Sequence, residues 1–349
     1  MEKYPPAMNL ISDVLTQHPE YKVSVLTSKN SSPYTNLQIS GVKIFRPGIV
    51  SKISLVRYFC FLNYNFLGTL ILIITRPDVV LVYESLSIFP AYLYSKFFLN
   101  KKIHIHYHEY TSIPEKNVAS AYMKFLFKCE DKLLQKHTSS QTNEERKALF
   151  LKDIPKLKKQ FVSVFPNMPP KNWWTDFGQT KKPWERGKIK LVHVGVLDAE
   201  TMYLEEVLQW VSQHPNELEL TLFSQDVSVT ARKLFSQFKS DNILLKSALE
   251  YNTLPQELIK HDVGIVLYKG HIPNYVFNVP NKVYEYLSCG LKVIGDKALI
   301  MLGNSSLKGV YQIEFNNFKH FDICEAIEKN HGQSEIFRNS LVDFLFIKK

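Results

Sequence analysis

Lys282 and Glu285 stand three residues apart in the run Asn278-Val-Pro-Asn-Lys282-Val-Tyr-Glu285-Tyr-Leu-Ser-Cys-Gly290-Leu-Lys-Val-Ile294. That spacing puts an ammonium and a carboxylate on one helix face. Pro280 fixes the backbone entering a short helix, Gly290 can end it, and Leu291 to Ile294 then reads as a buried strand. The free N–H groups and positive dipole end of such a helix favour a phosphate, with Lys282 in its first turn. A carboxylate at Glu285 can accept two hydrogen bonds from a ribose diol while the ammonium neutralises a diphosphate. A Lys–Glu pair on a solvated helix face has the same spacing, so the pair alone does not choose.

A second group is Lys101-Lys-Ile-His104-Ile-His106-Tyr-His108-Glu109-Tyr110, which reads as a strand running into a loop. Strand periodicity places His104, His106 and His108 on one face, as a metal site would need. No carboxylate shares that face and the spacing matches no zinc motif, so no metal is expected. Only His108, followed by Glu109, lies at the carboxyl end, where open parallel sheets hold their ligands. A histidine satisfied by nearby loop backbone is the other reading. A third position is Gly195, ending the strand from Ile189 to Val194, where a missing side chain lets backbone approach a ligand. A helix from about Leu204 to Val211 would aim its N-terminus at the same point.

The elements that must position these residues alternate helices with short β-branched strands, the pattern of parallel sheets covered by helices. Strands are expected at Tyr21 to Thr27, Gly41 to Phe45, Asp78 to Tyr83, Leu218 to Phe223, Ile243 to Leu245 and Val263 to Leu267. Asn143 or Thr142 can cap a helix after His137. The apolar segment Ile53 to Thr75 is expected as a buried helix, with shallow membrane contact as the alternative, because its longest clean run, Phe66 to Ile74, is far below the roughly 20 residues of a spanning helix. With 349 residues, 45% of them hydrophobic, the chain can form two domains of roughly 150 residues each. Boundaries are expected at 1–167, a Pro-, Lys- and Trp-rich linker at 168–187, a second domain at 188–320 and a helical tail at 321–349. Cys60, Cys129, Cys289 and Cys324 are widely spaced and fit reduced thiols better than a disulfide or zinc framework. A formal charge of +10 calls for an anionic partner: nucleic acid, an anionic membrane surface or a phosphorylated substrate. No basic stripe with interleaved aromatics supports nucleic acid.

From Leu258 to Ile294 an apolar strand, a loop with Asn274, and Pro280-Asn-Lys-x-x-Glu-Tyr-Leu-x-x-Gly follow in the order found in retaining glycosyltransferases of the GT-B type, family 4, and the chain resembles that family over nearly its whole length. Lys292 stands where the family usually has Pro, and Phe277 where many members carry the first acid of an E-x7-E pair. The resemblance implies two doubly wound, Rossmann-like parallel-sheet domains facing a cleft. It implies donor binding by Gly195, Tyr268, Asn274, Asn281, Lys282 and Glu285, and a catalytic role at the donor sugar or acceptor for His108 and Glu109. Sugar transfer from a UDP- or GDP-linked donor to a glycan or lipid-linked acceptor would proceed with retention and without a metal or other cofactor. Bacterial surface polysaccharide assembly in the cytoplasm, peripheral at the inner membrane face, is the implied setting. Rival readings are a nucleotide-sugar epimerase and a noncatalytic nucleotide-sugar binder. The second draws on the loop Asp198-Ala-Glu-Thr-Met-Tyr203, acidic where the family commonly carries a cation. The family's first strand has no counterpart before the helix that Tyr4-Pro5-Pro6-Ala7 enters, and a longer upstream segment is expected to supply it.

Overall fold

The computed structural model of the chain describes residues 5–29, 41–49, 53–178, 187–303, 307–316 and 323. The chain forms two compact units, with the break between Pro166 and Asn167. In the first, the order is α1 (Pro5–Gln17), β1 (Val23–Lys29), β2 (Val42–Ile49), α2 (Ser54–Thr75), β3 (Val79–Tyr83), α3 (Ile88–Phe97), β4 (Lys102–His106), α4 (Ile113–Val118), α5 (Ala121–Leu134), β5 (Thr138–Gln141), α6 (Glu144–Asp153) and β6 (Val162–Val164). Its strands make two parallel sheets, β1-β2 and β3-β4-β5-β6. Among the described residues β1 pairs only with β2, and β3 only with β4. Ile103 and Ile105 of β4 are buried in the core with Val80, Val82, Tyr94, Leu126 and Leu133. The alternate residues His104 and His106 are buried as well.

The second unit runs β7 (Ile189–Val194), α7 (Leu204–Gln213), β8 (Leu218–Phe223), α8 (Val229–Gln237), β9 (Ile243–Lys246), α9 (Leu254–Leu258), β10 (Val263–Val266), α10 (Pro273–Val276), α11 (Asn281–Ser288), β11 (Lys292–Asp296) and β12 (Val310–Ile313). One parallel sheet has the order β12-β11-β10-β7-β8-β9. Its winding reverses between β7 and β10, and the carboxyl ends of the strands flanking such a switch form a ligand crevice. All four residues of β10 are buried, as a central strand covered on both faces requires.

Two sequence expectations need correction here. The linker expected from residue 168 is ordered packing over its first half, because an aromatic anchor outweighs its polar composition. Trp173 is buried, its ring 4.9 Å from that of Tyr251, and it opens the π-helical turn Trp173–Gly178. Residues 179–186 and, Ile323 aside, the tail expected at 321–349 lie outside the described residues. The second correction concerns α2, which is not a buried helix. Only 22% of its apolar stretch Tyr58–Thr75 is buried, and that stretch is long and apolar enough, by length and composition, to cross a membrane.

Candidate functional site

At the end of β7 the chain turns through Gly195, whose φ of +136° is a region that residues with a side chain rarely adopt. A Cβ there would stand 3.1 Å from Lys282 Nζ, so the same glycine makes room for the lysine. Lys282 is almost fully buried on α11, and its ammonium lies 3.5 Å from His193 Nε2 and 4.8 Å from the ring centroid of Tyr268. His193 Nδ1 is 2.9 Å from the carbonyl of Ile265, which can only accept, so Nδ1 carries the proton and Nε2 offers its lone pair to Lys282. Burial, and then the Lys282 charge, hold the imidazole pKa well below its ordinary value. The result is a buried cation held by a neutral imidazole and a π face, with no carboxylate within salt-bridge distance among the described residues.

Glu285, one turn along α11, is equally buried. Burial raises its carboxyl from 4.5 to about 7, with Lys282 opposing. The helix begins at Asn281 after an extended Pro280 with no side-chain cap, and ends before Gly290 at φ +77°, as its punctuation predicts. Gly195, Tyr268, Lys282 and Glu285 thus gather at the β7/β10 switch. Asn274 lies in α10 beside Tyr275, whose ring stacks on Tyr268 at 4.3 Å.

Three further residues shape this site in roles that no sequence motif announced. Besides His193, Tyr286 uses its hydroxyl to accept the Val194 N–H at 2.9 Å, fixing the strand end that presents Gly195. Lys269 Nζ donates to the Ala199 carbonyl at 3.1 Å and so brings a cation to the loop after β7. In that loop the Asp198 carboxylate accepts from the Thr201 hydroxyl at 2.7 Å and its N–H at 3.1 Å, bonds that lower its pKa. The acidic loop is therefore a turn closed on itself and tied to Lys269.

In the first unit, the rings of His104 and His106 are engaged by hydroxyls: His104 with Thr138 and Ser140, each at 2.8 Å, and His106 with Ser140 at 2.7 Å. Burial lowers His104 to about 3. Among the described residues no group of three or more His, Cys, Asp or Glu is placed to hold a metal ion. His108 is half-buried just beyond β4, stacked 5.1 Å from Tyr83, and its carbonyl accepts from the fully buried Arg146. Asn143 caps α6 by accepting the Arg146 N–H at 2.8 Å, which settles the choice between Asn143 and Thr142. Glu109 is exposed next to His108. Glu84, also unannounced by sequence, holds the backbone of both.

No family model and no curated protein matches the chain. Solved structures do. Sucrose-phosphate synthase from Thermosynechococcus elongatus is similar at a TM-score of 0.63 and 14% identity, over 87% of this chain and 78% of that one. The E. coli structure described as trehalose-6-phosphate bound with UDP-2-fluoro glucose gives 0.61 and 11%, over 88% and 84%. A UDP-N-acetylglucosamine 2-epimerase from Listeria monocytogenes gives 0.55 and 12%, over 84% and 76%. At these identities the likeness concerns the fold, and the fold is GT-B: an α/β chain with parallel sheets in two Rossmann-like domains.

Proposed function

We propose that the chain is a glycosyltransferase that binds a UDP- or GDP-linked sugar in its second unit and transfers the sugar to an acceptor hydroxyl with retention. The observation that carries this reading is Lys282, a buried ammonium with no carboxylate within salt-bridge distance among the described residues, set against Gly195 at the strand switch. Placed there, it would neutralise the diphosphate of the donor and stabilise it as it departs. Glu285 would accept the ribose hydroxyls, with Asn281, Asn274 and Tyr268 around the donor. His108 and Glu109 would act at the sugar or acceptor, by positioning rather than as a nucleophile. Charge neutralisation by Lys282 makes the proposed mechanism metal-independent. The proposed setting is surface polysaccharide assembly on a glycan or lipid-linked acceptor, in the cytoplasm at the inner membrane face. The domain limits 1–167, 188–320 and 321–349 are retained as proposals on the same footing, residues 168–178 being packed as described above.

Melting the protein with UDP, GDP and their common sugars tests the reading, because a ligand that binds only the folded state raises the melting temperature. A rise with at least one diphosphate supports it; none with any refutes it. Epimerisation is the second reading, favoured by the epimerase of similar fold. Conversion of UDP-N-acetylglucosamine to its 2-epimer without acceptor would select it.

Glu285→Gln is expected to weaken diphosphate binding at least tenfold, since a charge-assisted bond is worth about 1.5–3 kcal/mol. The same change should flatten the pH dependence of stability. A carboxyl raised from 4.5 to about 7 in the fold contributes stability that is full below 4.5 and lost as pH rises through about 7. Melting curves at pH 5 and pH 8 should therefore differ more for wild type than for the variant. Equal differences, with unchanged affinity by calorimetry, would remove Glu285 from the site.

A further inference from the structure

The sides of α2 are reversed. Tyr64, Asn65 and Thr69 face the protein and are buried, with Gly68 packed against Leu26 of β1 and Pro90 of α3. Asn65 donates to the Tyr122 hydroxyl, and the Thr69 hydroxyl donates to the Asn65 carbonyl at 2.7 Å. The opposite side presents Phe59, Leu62, Phe66, Leu70 and Ile74 to solvent, Phe66 at 65% exposure. A helix that turns Asn65, Gly68 and Thr69 inward and Phe59, Leu62, Phe66, Leu70 and Ile74 outward has an apolar medium outside it.

We propose that this outer face of α2 lies in the surface of an anionic lipid bilayer. Charge selects lipid over a second copy of the chain. The helix from Ser54 to Thr75 contains no acidic residue. Beside it, Tyr122 of α5 packs on Tyr58 and Phe61, and α5 itself carries the exposed Lys124, Phe125 and Lys128. An apolar strip beside lysines suits acyl chains beneath anionic headgroups. Two identical such faces would set like charges together. The helix lies in the surface and does not span it, because spanning would strip Asn65 and Thr69 from their packing into hydrocarbon.

The test is co-sedimentation of the full chain with phosphatidylcholine vesicles, with and without phosphatidylglycerol, at low and high salt. Binding should require the anionic lipid and weaken with salt. Phe59→Ser combined with Phe66→Ser should lower partitioning at least tenfold, with the melting temperature and UDP affinity unchanged. Lys124→Glu with Lys128→Glu should do the same if the serine variant fails to fold. Undiminished binding of either folded variant overturns the proposal. So does a wild-type dimer that the serine variant dissociates, with no vesicle binding by either. UDP affinity is read separately, so loss of the membrane surface leaves the glycosyltransferase reading standing.

A separate observation concerns Glu84, just after β3, held at φ 60° and ψ 160°. Residues other than glycine occupy that region only where the surroundings force them to. Its Oε1 accepts the N–H of His108 at 2.5 Å and of Glu109 at 3.1 Å. We infer that Glu84 is a positioning residue whose strained backbone is kept so that its carboxylate can clamp the His108–Glu109 turn. This rests on the reading that the turn acts on sugar or acceptor. Glu84→Gly relieves the backbone and removes the clamp; Glu84→Gln keeps an acceptor oxygen. The glycine variant should melt no lower than wild type, yet show averaged amide resonances for His108 and Glu109 and at least tenfold slower UDP release from UDP-sugars. The glutamine variant should keep the resonances and lose less than threefold. A glycine variant with ordered resonances and full turnover overturns the inference. If no protein releases UDP, the resonances still decide the clamp, and only the catalytic reading fails.

Discussion

Lys282→Ala is expected to abolish measurable binding of nucleoside diphosphates while leaving the empty protein folded and no less stable. Truncating one member of a buried, hydrogen-bonded charge pair costs about 2–5 kcal/mol, roughly 30-fold to several-thousand-fold in affinity. The upper part of that range applies here, because the nearest side chains to this ammonium are a neutral imidazole and a tyrosine ring, and neither can substitute for it. In the empty site the lysine carries a desolvation cost that, among the described residues, no carboxylate within salt-bridge distance offsets and that the more distant Glu285 offsets only in part. Its removal should therefore hold or raise the melting temperature. Calorimetric titration with UDP and GDP, with melting curves alongside, checks both halves. Undiminished affinity would move the diphosphate elsewhere, for which Lys269, which follows β10 and bonds to the β7 loop, is a candidate.

Gly264→Ala is expected to give the largest loss of stability of any single methyl addition in the second unit. A Cβ at this central position of β10 would lie 2.0 Å from Cδ2 and 2.4 Å from Cγ of Tyr286. Neither side can retreat easily: β10 is laddered to β7 and β11, and the Tyr286 ring is fully buried. Overpacking of this kind costs about 1–3 kcal/mol, and a displaced ring also gives up the hydroxyl bond to Val194, worth about 1 kcal/mol. Urea unfolding should show the midpoint shifted down with the slope unchanged. Because Val194 precedes Gly195, the folded fraction should also bind UDP or GDP more weakly. A wild-type midpoint would mean that the ring and strand are not packed as described.

The parts of the site that were legible in the sequence are those set by neighbours in the chain. Pro280, Lys282, Glu285 and Gly290 lie within one helix and its ends, and α11 follows their spacing from Asn281 to Ser288. The parallel architecture was legible for the same local reason, in the alternation of apolar strands with helices. His193 and Tyr286 were not, because they act on partners 89 and 92 residues away that only the sheet winding brings close. Glu84 was hidden in the same way: its bonds reach 24 and 25 residues onward, and its backbone strain leaves no trace in composition. For α2 the composition was read correctly as apolar, but hydropathy does not say which side packs. Asn65 took the inner side through its bond to Tyr122, with Tyr64, Gly68 and Thr69 beside it, leaving Phe59, Leu62 and Phe66 outside. Trp173 shows the reverse error, a single buried ring ordering a stretch whose other residues read as linker.

The most direct measurement is calorimetric titration of the wild-type chain with UDP and GDP, each compared with its own nucleoside. If Lys282 at the β7/β10 switch holds a diphosphate, one of the two should bind saturably at one site per chain. Its nucleoside should bind at least about a hundredfold more weakly, the affinity that a buried charge pair supplies. Saturable binding of neither diphosphate, or equal affinity for diphosphate and nucleoside, would contradict the assignment.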